Sequence, residues 1–281
     1  MTVASGSDGV RELVIVAGDA SHSAGLHEFR AGALLLARAL QFVPELHVTV
    51  VSNGTIPELD PAEVDALVLY SDGGPSHPLL APGALDRVER LARAGAGIGV
   101  LHYAVEAYGA VGEAVTRWIG GRYVEGESCN PLWEARFETL PDHPVTRGVE
   151  PFTLPDEWYL NIRFAGDEDP GVRTQPLLVA TPSAEVRLGP YVWPAGPYQH
   201  IVAAEGRPET LMWAAERDGG GRGVGLTGGH FHHNWADRDF RTIVLNALVW
   251  LTGLDVPPGG VASSVTDDDL SQNLDEKPAV G

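Results

Sequence analysis

The chain has 281 residues, 44% of them apolar and 20% charged, the make-up of an ordinary soluble globule long enough for a large core. A net charge of −19 excludes the basic footprint that nucleic acid or an anionic membrane requires. Its one cysteine, Cys129, excludes an internal disulfide and a multi-cysteine zinc cluster.

Residues 1–9 are polar and carry no apolar signal region, and no run reaches the roughly 18 apolar residues of a membrane span. A cytoplasmic location is expected. Residues 12–18 (ELVIVAG) form a continuous apolar run, as in a central parallel strand buried on both faces. The run ends in a polar loop, DASHSAGLHEF, with His22 and His27. A helix follows, with Phe29, Ala33, Leu36 and Leu40 on one face and Pro44 closing it. Residues 46–51 read as the next strand, ended by the turn signal Ser52-Asn53-Gly54. The third, 65–71, runs into DGGPSHP with His77. Leu85, Val88, Leu91 and Ala92 give a helical stripe that Gly95 stops. The strand at 98–101 halts at His102 and is expected to turn directly into a helix from about 105 to 119. Glu106 would then lie in its first turn, where the helix dipole favours a carboxylate. Strand and helix alternate throughout this half, which predicts an α/β fold with a doubly wound, mostly parallel sheet.

Past Gly120-Gly121 the pattern changes. Residues 133–140, 157–164, 177–181 and 210–216 read as strands without helices between them, and 188–206, crowded with proline and glycine, reads as a long excursion over the sheet. Residues 223–227 return to the core and end in GGHFHHNW. A closing helix follows, with Phe240, Ile243, Val244, Ala247, Leu248 and Leu251 at helical spacing, Asp237 as cap and Gly253 as stop. The expected organisation is one α/β domain over residues 1–254 and a C-terminal extension over 255–281. The extension's acidic, proline-rich composition alone reads as a loose tail.

The histidines carry the functional signal. His22 and His27, His77, His102, and His230 with His232 each follow a predicted strand, so four strand ends deliver imidazole to one sheet edge, where open α/β folds bind ligands. Each alone is readable as a hydrogen-bonded loop histidine; as a set they point to a shared site. His47, His143 and His200 lie elsewhere and are read as structural. Imidazoles with a carboxylate suit zinc or manganese, and His22, His27, His230 and His232 are the candidate ligands. The spacing matches no diagnostic metal motif, so the metal-free alternative stands beside it, with His102 and Glu106 as general acid and base. Trp118, Trp133, Trp158, Trp193 and Trp235 concentrate in the second half, and a few are expected to stack on a ligand while most pack the core.

Several segments together resemble the trehalose-utilisation (ThuA-like) family, a branch of the glutamine-amidotransferase-like, flavodoxin-like folds. They are SHSAGLHEFRAG (21–32), YSDGGPSHPLL (70–80), LHYAVE (101–106), WIGGRY (118–123), NPLW (130–133), HPVTRGVEPF (143–152), DEWYLNIRF (156–164), GGHFHHNW (228–235) and LNALVW (245–250). The tail GVASSVTDDDLSQNLDEKP resembles an extension of one subgroup, which implies that it docks on this chain or on a neighbouring subunit. His102 stands where the amidotransferases carry their elbow cysteine, so glutaminase chemistry does not transfer. The resemblance implies carbohydrate catabolism on an oxidised, 3-keto sugar or glycoside. On that reading His102, Glu106 and His230 are catalytic, while His77, Tyr103, Asn130, Glu157, Tyr159 and Trp235 bind the sugar. A small-molecule sugar is the expected partner and self-association is open; no nucleotide cofactor, nucleic acid or membrane is expected. Two rivals stand: a metal-dependent sugar hydrolase or isomerase, and a non-catalytic sugar-binding module on a degenerate amidotransferase scaffold.

Overall fold

A computed structural model describes residues 9–166 and 171–277. The polar residues 1–8 and the last four residues of the predicted extension lie outside them. In chain order the strands are β1 (Arg11–Ala17), β2 (Leu46–Val51), β3 (Ala66–Tyr70), β4 (Gly97–Leu101), β5 (Gly121–Arg122), β6 (Leu132–Phe137), β7 (Phe152–Glu157), β8 (Arg163–Phe164), β9 (Val172–Ala180), β10 (Glu209–Arg217) and β11 (Arg222–Leu226). The helices are α1 (Phe29–Leu40), α2 (Ala84–Arg93), α3 (Gly109–Ile119), α4 (Ala184–Leu188), α5 (Gln199–Val202), α6 (Arg238–Leu251) and α7 (Asp267–Leu270).

Seven strands form one sheet in the order β2-β1-β3-β4-β11-β10-β9; the first five are parallel, and β10 pairs antiparallel with both β11 and β9. Period-two alternation divides each buried strand between two layers. Leu13, Ile15, Val68 and Tyr70 face α1 and α6, whereas Val14, Val16, Leu67, Leu69, Ile98 and Val100 face α2 and α3. β4 spends glycines on the α6 side: a Cβ on Gly97 would lie 2.2 Å from the Leu251 carbonyl oxygen. That absence of side chain lets the end of α6 lie directly on the strand.

β1 leads to β2 on one side and, through it, to β3 on the other, so the chain reverses direction across the sheet between β1 and β3. The loops leaving that crevice are the ones that bind ligands in this architecture. Residues 18–28 leave β1, Ser71-Asp72-Gly73 leave β3, His102 leaves β4 and residues 227–232 leave β11. α6 opens as the sequence predicts, with the Asp237 side chain accepting the Phe240 N–H at 2.8 Å.

Two sequence expectations are corrected. Residues 102–105 form one 3-10 turn, Glu106 is extended and pairs with Tyr123, and α3 begins only at Gly109. The cause is a close crossing by the β3 loop, in which Gly74 N–H donates to the Glu106 carbonyl at 2.8 Å. A Cβ on Gly73 would lie 2.0 Å from the Tyr103 carbonyl oxygen. The expected strand at 157–164 is instead β7, ending at Glu157, with a turn at Asn161 (φ 59) before the short β8. Among the described residues β7 pairs with β6 alone as a two-stranded ribbon, where the exposed Pro155 costs no central ladder bond.

Residues 255–277 lie along the domain. Thr266 and Asp269 form a capping box at α7, the Arg38 guanidinium donates to Asp269 at 2.5 Å, and Arg30 donates to the Asn273 carbonyl at 3.1 Å.

Candidate functional site

His27, His102, His230 and Glu157 meet above the carboxyl ends of β1, β4 and β11. His27 Nε2 lies 3.0 Å from His102 Nε2 and 2.9 Å from His230 Nδ1; Glu157 Oε2 lies 2.6 Å from His230 Nδ1 and 3.7 Å from His102 Nε2. The four are 2%, 0%, 5% and 3% exposed in that naming order.

Local backbone structure accounts for the convergence. The segments after β1 and β11 zip together: His27 N–H donates to the His230 carbonyl at 3.0 Å, His232 N–H to Gly25 at 3.0 Å, and Leu26 bridges Phe231. His102 takes φ 55, the strained turn between strand and helix at which related folds hold a nucleophile. His22 (φ 63) and His27 (φ 48) share that left-handed conformation, three imidazole-bearing residues in a region that L side chains rarely occupy. The ribbon supplies the carboxylates: Glu157 closes β7, and its other oxygen accepts the Asn130 amide at 2.5 Å.

The hydrogen-bond partners fix which ring nitrogens carry protons. His102 Nδ1 is 2.7 Å from the Thr227 carbonyl, which only accepts, and His27 Nδ1 is 3.1 Å from Asp72 Oδ1. Burial lowers the proton affinity of both rings, and the neighbouring histidines lower it further. His27 and His102 are therefore neutral imidazoles.

Tyr103 and His22 line the approach from solvent. The Tyr103 ring meets His27 edge-on at 5.9 Å and His22 at 6.2 Å, and the His22 side chain is 39% exposed. Burial, with Glu106 and then Asp72 nearby, raises the Tyr103 phenol to about 12. Glu106 is buried beside the Tyr103 hydroxyl: its Oε1 and the Tyr103 and Tyr108 hydroxyls gather around Gly74, and Tyr108 donates to it. Burial, then Glu125 and Glu157, raise the Glu106 carboxyl to about 7.

Several predicted site residues stand elsewhere. His232 opens a 3-10 turn, which swings its ring to the Leu270 carbonyl at 3.1 Å and away from the proposed ligands. His77 commits both nitrogens to backbone, donating to Ala104 and accepting from Leu79, so it has none left for a sugar. Trp235 stacks on Phe240 in the core at 5.2 Å. Tyr159 is wholly enclosed beneath His102, its hydroxyl 3.5 Å from Nδ1, and Asn130 holds Glu157 and the Trp193 N–H. These two support the cluster from behind. Among the tryptophans Trp193 is the exposed one, at 62%. Cys129 is buried and its thiol is pushed up to about 12, a protonated core sulfur.

Three residues escaped the sequence reading. Asp72 leaves β3 at the same edge as the histidines, so the strand-end argument could have found it. Asp156 is wholly buried and accepts the N–H groups of Gly229, His230 and Glu157 and the Asn234 amide. Lys277 reaches from the extension to the Leu26 and His27 carbonyls at 2.6 and 2.9 Å and to Glu28 at 3.4 Å, a contact that no local pattern announces.

Fold and site together define an α/β protein of the glutamine-amidotransferase-like kind, with a histidine–carboxylate cluster at the elbow. The chain belongs to the ThuA family, described as trehalose utilisation, which matches residues 24–251 and points to carbohydrate metabolism. Two crystal structures of ThuA-like proteins share the fold. The one from Bacteroides uniformis is 16% identical, with a TM-score of 0.62 over 91% of this chain and 97% of its own. The one from Parabacteroides merdae is 18% identical, with a TM-score of 0.60 over 92% and 94%. No curated protein matches the chain in sequence. Among the described residues no helix is long and apolar enough to cross a membrane.

Proposed function

We propose that this protein is an enzyme of carbohydrate catabolism that cleaves or isomerises an oxidised, 3-keto sugar or glycoside by proton transfer. The observation that carries the reading is Glu106, a buried carboxyl group raised to about 7 beside the Tyr103 and Tyr108 hydroxyls, with the Tyr103 ring in turn against His27. A base or acid poised near neutrality is what abstraction beside a ketone requires.

In this reading the ketone points toward His27, His102 and His230. The Glu106 carboxylate takes the proton from the carbon between the ketone and the anomeric centre, leaving an enolate. Collapse of the enolate restores the ketone, forms a double bond to the anomeric carbon and breaks the glycosidic bond. The departing oxygen takes the proton that Glu106 now carries, so protons and electron pairs balance. The Tyr103 phenol, protonated throughout the neutral range, donates a hydrogen bond to the developing negative charge.

The test compares an aryl 3-keto-glucoside with its unoxidised parent, following both aryl alcohol release and deuterium exchange at the carbon beside the ketone. Cleavage with exchange from the keto substrate alone is expected, and His102→Ala should abolish it. Equal turnover of the unoxidised glycoside would favour a hydrolase. Thermal stabilisation by sugar without exchange or cleavage would favour a binding module.

A further inference from the structure

We propose that His27 Nε2, His102 Nε2, His230 Nδ1 and Glu157 Oε2 are the ligands of a divalent transition-metal ion of the zinc class. The argument is one of protons. His102 Nδ1 faces a carbonyl at 2.7 Å and must carry the hydrogen; His27 Nδ1 faces the Asp72 carboxylate at 3.1 Å and does the same. Both Nε2 atoms are then bare, and they point at each other across 3.0 Å. Two lone pairs at that distance repel unless something positive stands beside both. His230 Nδ1 and Glu157 Oε2 converge on the same point, and all four atoms lie within 4.8 Å of one another.

The spacing suits an ion. Four ligands held about 2.0–2.2 Å from a tetrahedral zinc lie roughly 3.3 Å from one another. Four of the six separations run from 2.6 to 3.7 Å, on both sides of that value, and none exceeds 4.8 Å. The outer contacts are also those of a metal site, where ligating histidines donate their second N–H to a carboxylate or carbonyl. Asp72 and Thr227 accept from His27 and His102, and Asn130 donates to the second oxygen of Glu157. Three imidazoles and one carboxylate, with no thiolate, favour zinc, manganese or cobalt over calcium or magnesium.

A competing set, His22 with His27 and Asp72, needs His27 Nδ1 as a ligand. With His27 bound through Nε2, Asp72 becomes its hydrogen-bond partner and His22 stays at the mouth. The sequence-based set loses His22 and His232 and gains His102 and Glu157.

The site deepens the proposed function, since a ketone beside a hydroxyl is a ligand such an ion takes, but its test stands apart from turnover. The full-length protein is stripped with dipicolinate and reloaded with zinc, manganese or cobalt, and bound metal is measured by mass spectrometry. A content near one ion per chain is expected, with a rise in Tm on loading and visible cobalt absorption of a low-coordinate, nitrogen-rich site. The double variant His27→Ala/His230→Ala should lose the ion, Asp72→Ala should bind it about 10–100-fold more weakly, and His200→Ala, whose ring bonds the Glu127 carbonyl and stacks on Tyr198, should bind normally. Wild-type protein that retains none of the three metals overturns the proposal and leaves a shared proton between His27 and His102. A folded double variant that still binds one ion also overturns it. Should the double variant fail to fold, the wild-type stoichiometry and cobalt spectrum decide. Metal bound without action on a 3-keto sugar would sink the proposed function alone; turnover by protein that takes up none of the three metals would sink the metal site alone.

Discussion

Asp156 and Glu157, adjacent at the end of β7, grip the same histidine from two sides. Asp156 Oδ1 accepts the His230 backbone N–H at 3.0 Å, while Glu157 Oε2 meets its ring at 2.6 Å. Successive strand residues ordinarily point to opposite faces. Here the strand ends at Glu157, and both carboxyl groups reach His230, one its backbone and the other its ring.

Asp156→Ala should therefore be among the costliest single changes in the protein. It strips an acceptor from three buried N–H groups and the Asn234 amide. Stability should fall by about 3 kcal/mol or more, since each buried donor left unpaired costs on the order of 1–3 kcal/mol. Urea denaturation measures the loss. A drop under about 0.5 kcal/mol, the range of ordinary surface changes, would show that Asp156 is not the organiser of the 228–234 segment.

Glu106 predicts a pH dependence of definite sign. Acting as the base, it must be a carboxylate, so kcat/KM should rise as pH increases through about 7. Glu106→Gln should lower kcat/KM by about 10²–10⁴-fold and remove that limb. Stability moves the other way. The folded pKa is above the ordinary 4.5, so the bound proton's contribution is complete below about 4.5 and is lost as pH rises through about 7. The difference is on the order of 3.5 kcal/mol, at about 1.4 kcal/mol per pH unit between 4.5 and about 7. In Glu106→Gln the decline between those pH values should flatten; an unchanged slope would assign it to another group.

The parallel strands were legible because strands covered on both faces must be continuously apolar, and 12–18 and 65–71 are. Their ends then pointed to His22, His27 and His102 without any knowledge of the loops. What the sequence hid has physical causes. Pro155 masks β7, because proline argues against a strand unless the strand is known to lie at an edge. His230 and His232 share a face only if the segment stays extended, and the 3-10 turn at His232 breaks that. Glu106 looked like a helix-start residue because nothing local announces the crossing of Gly73 and Gly74 that holds it outside the helix.

The C-terminal extension supplies the last prediction. Lys277 and Glu28 are both almost fully buried, 3.4 Å apart, and the ammonium also caps the Leu26 and His27 carbonyls. Glu28 in turn accepts the N–H groups of Gly25 and Asp275, at 2.9 and 3.0 Å. The extension thus straps down the loop that carries His27. Lys277→Ala removes one member of a buried pair and leaves the carboxylate uncompensated, which should cost about 3–5 kcal/mol. The damage should be local before it is global. Hydrogen exchange at residues 22–28 should accelerate under native conditions, while the amides of β3 and β4 keep their protection. Loading of the His27 cluster with zinc should weaken in parallel. Uniform acceleration across the whole sheet would mean that the extension holds up the entire fold, and unchanged exchange at His27 would mean that it holds nothing at the site.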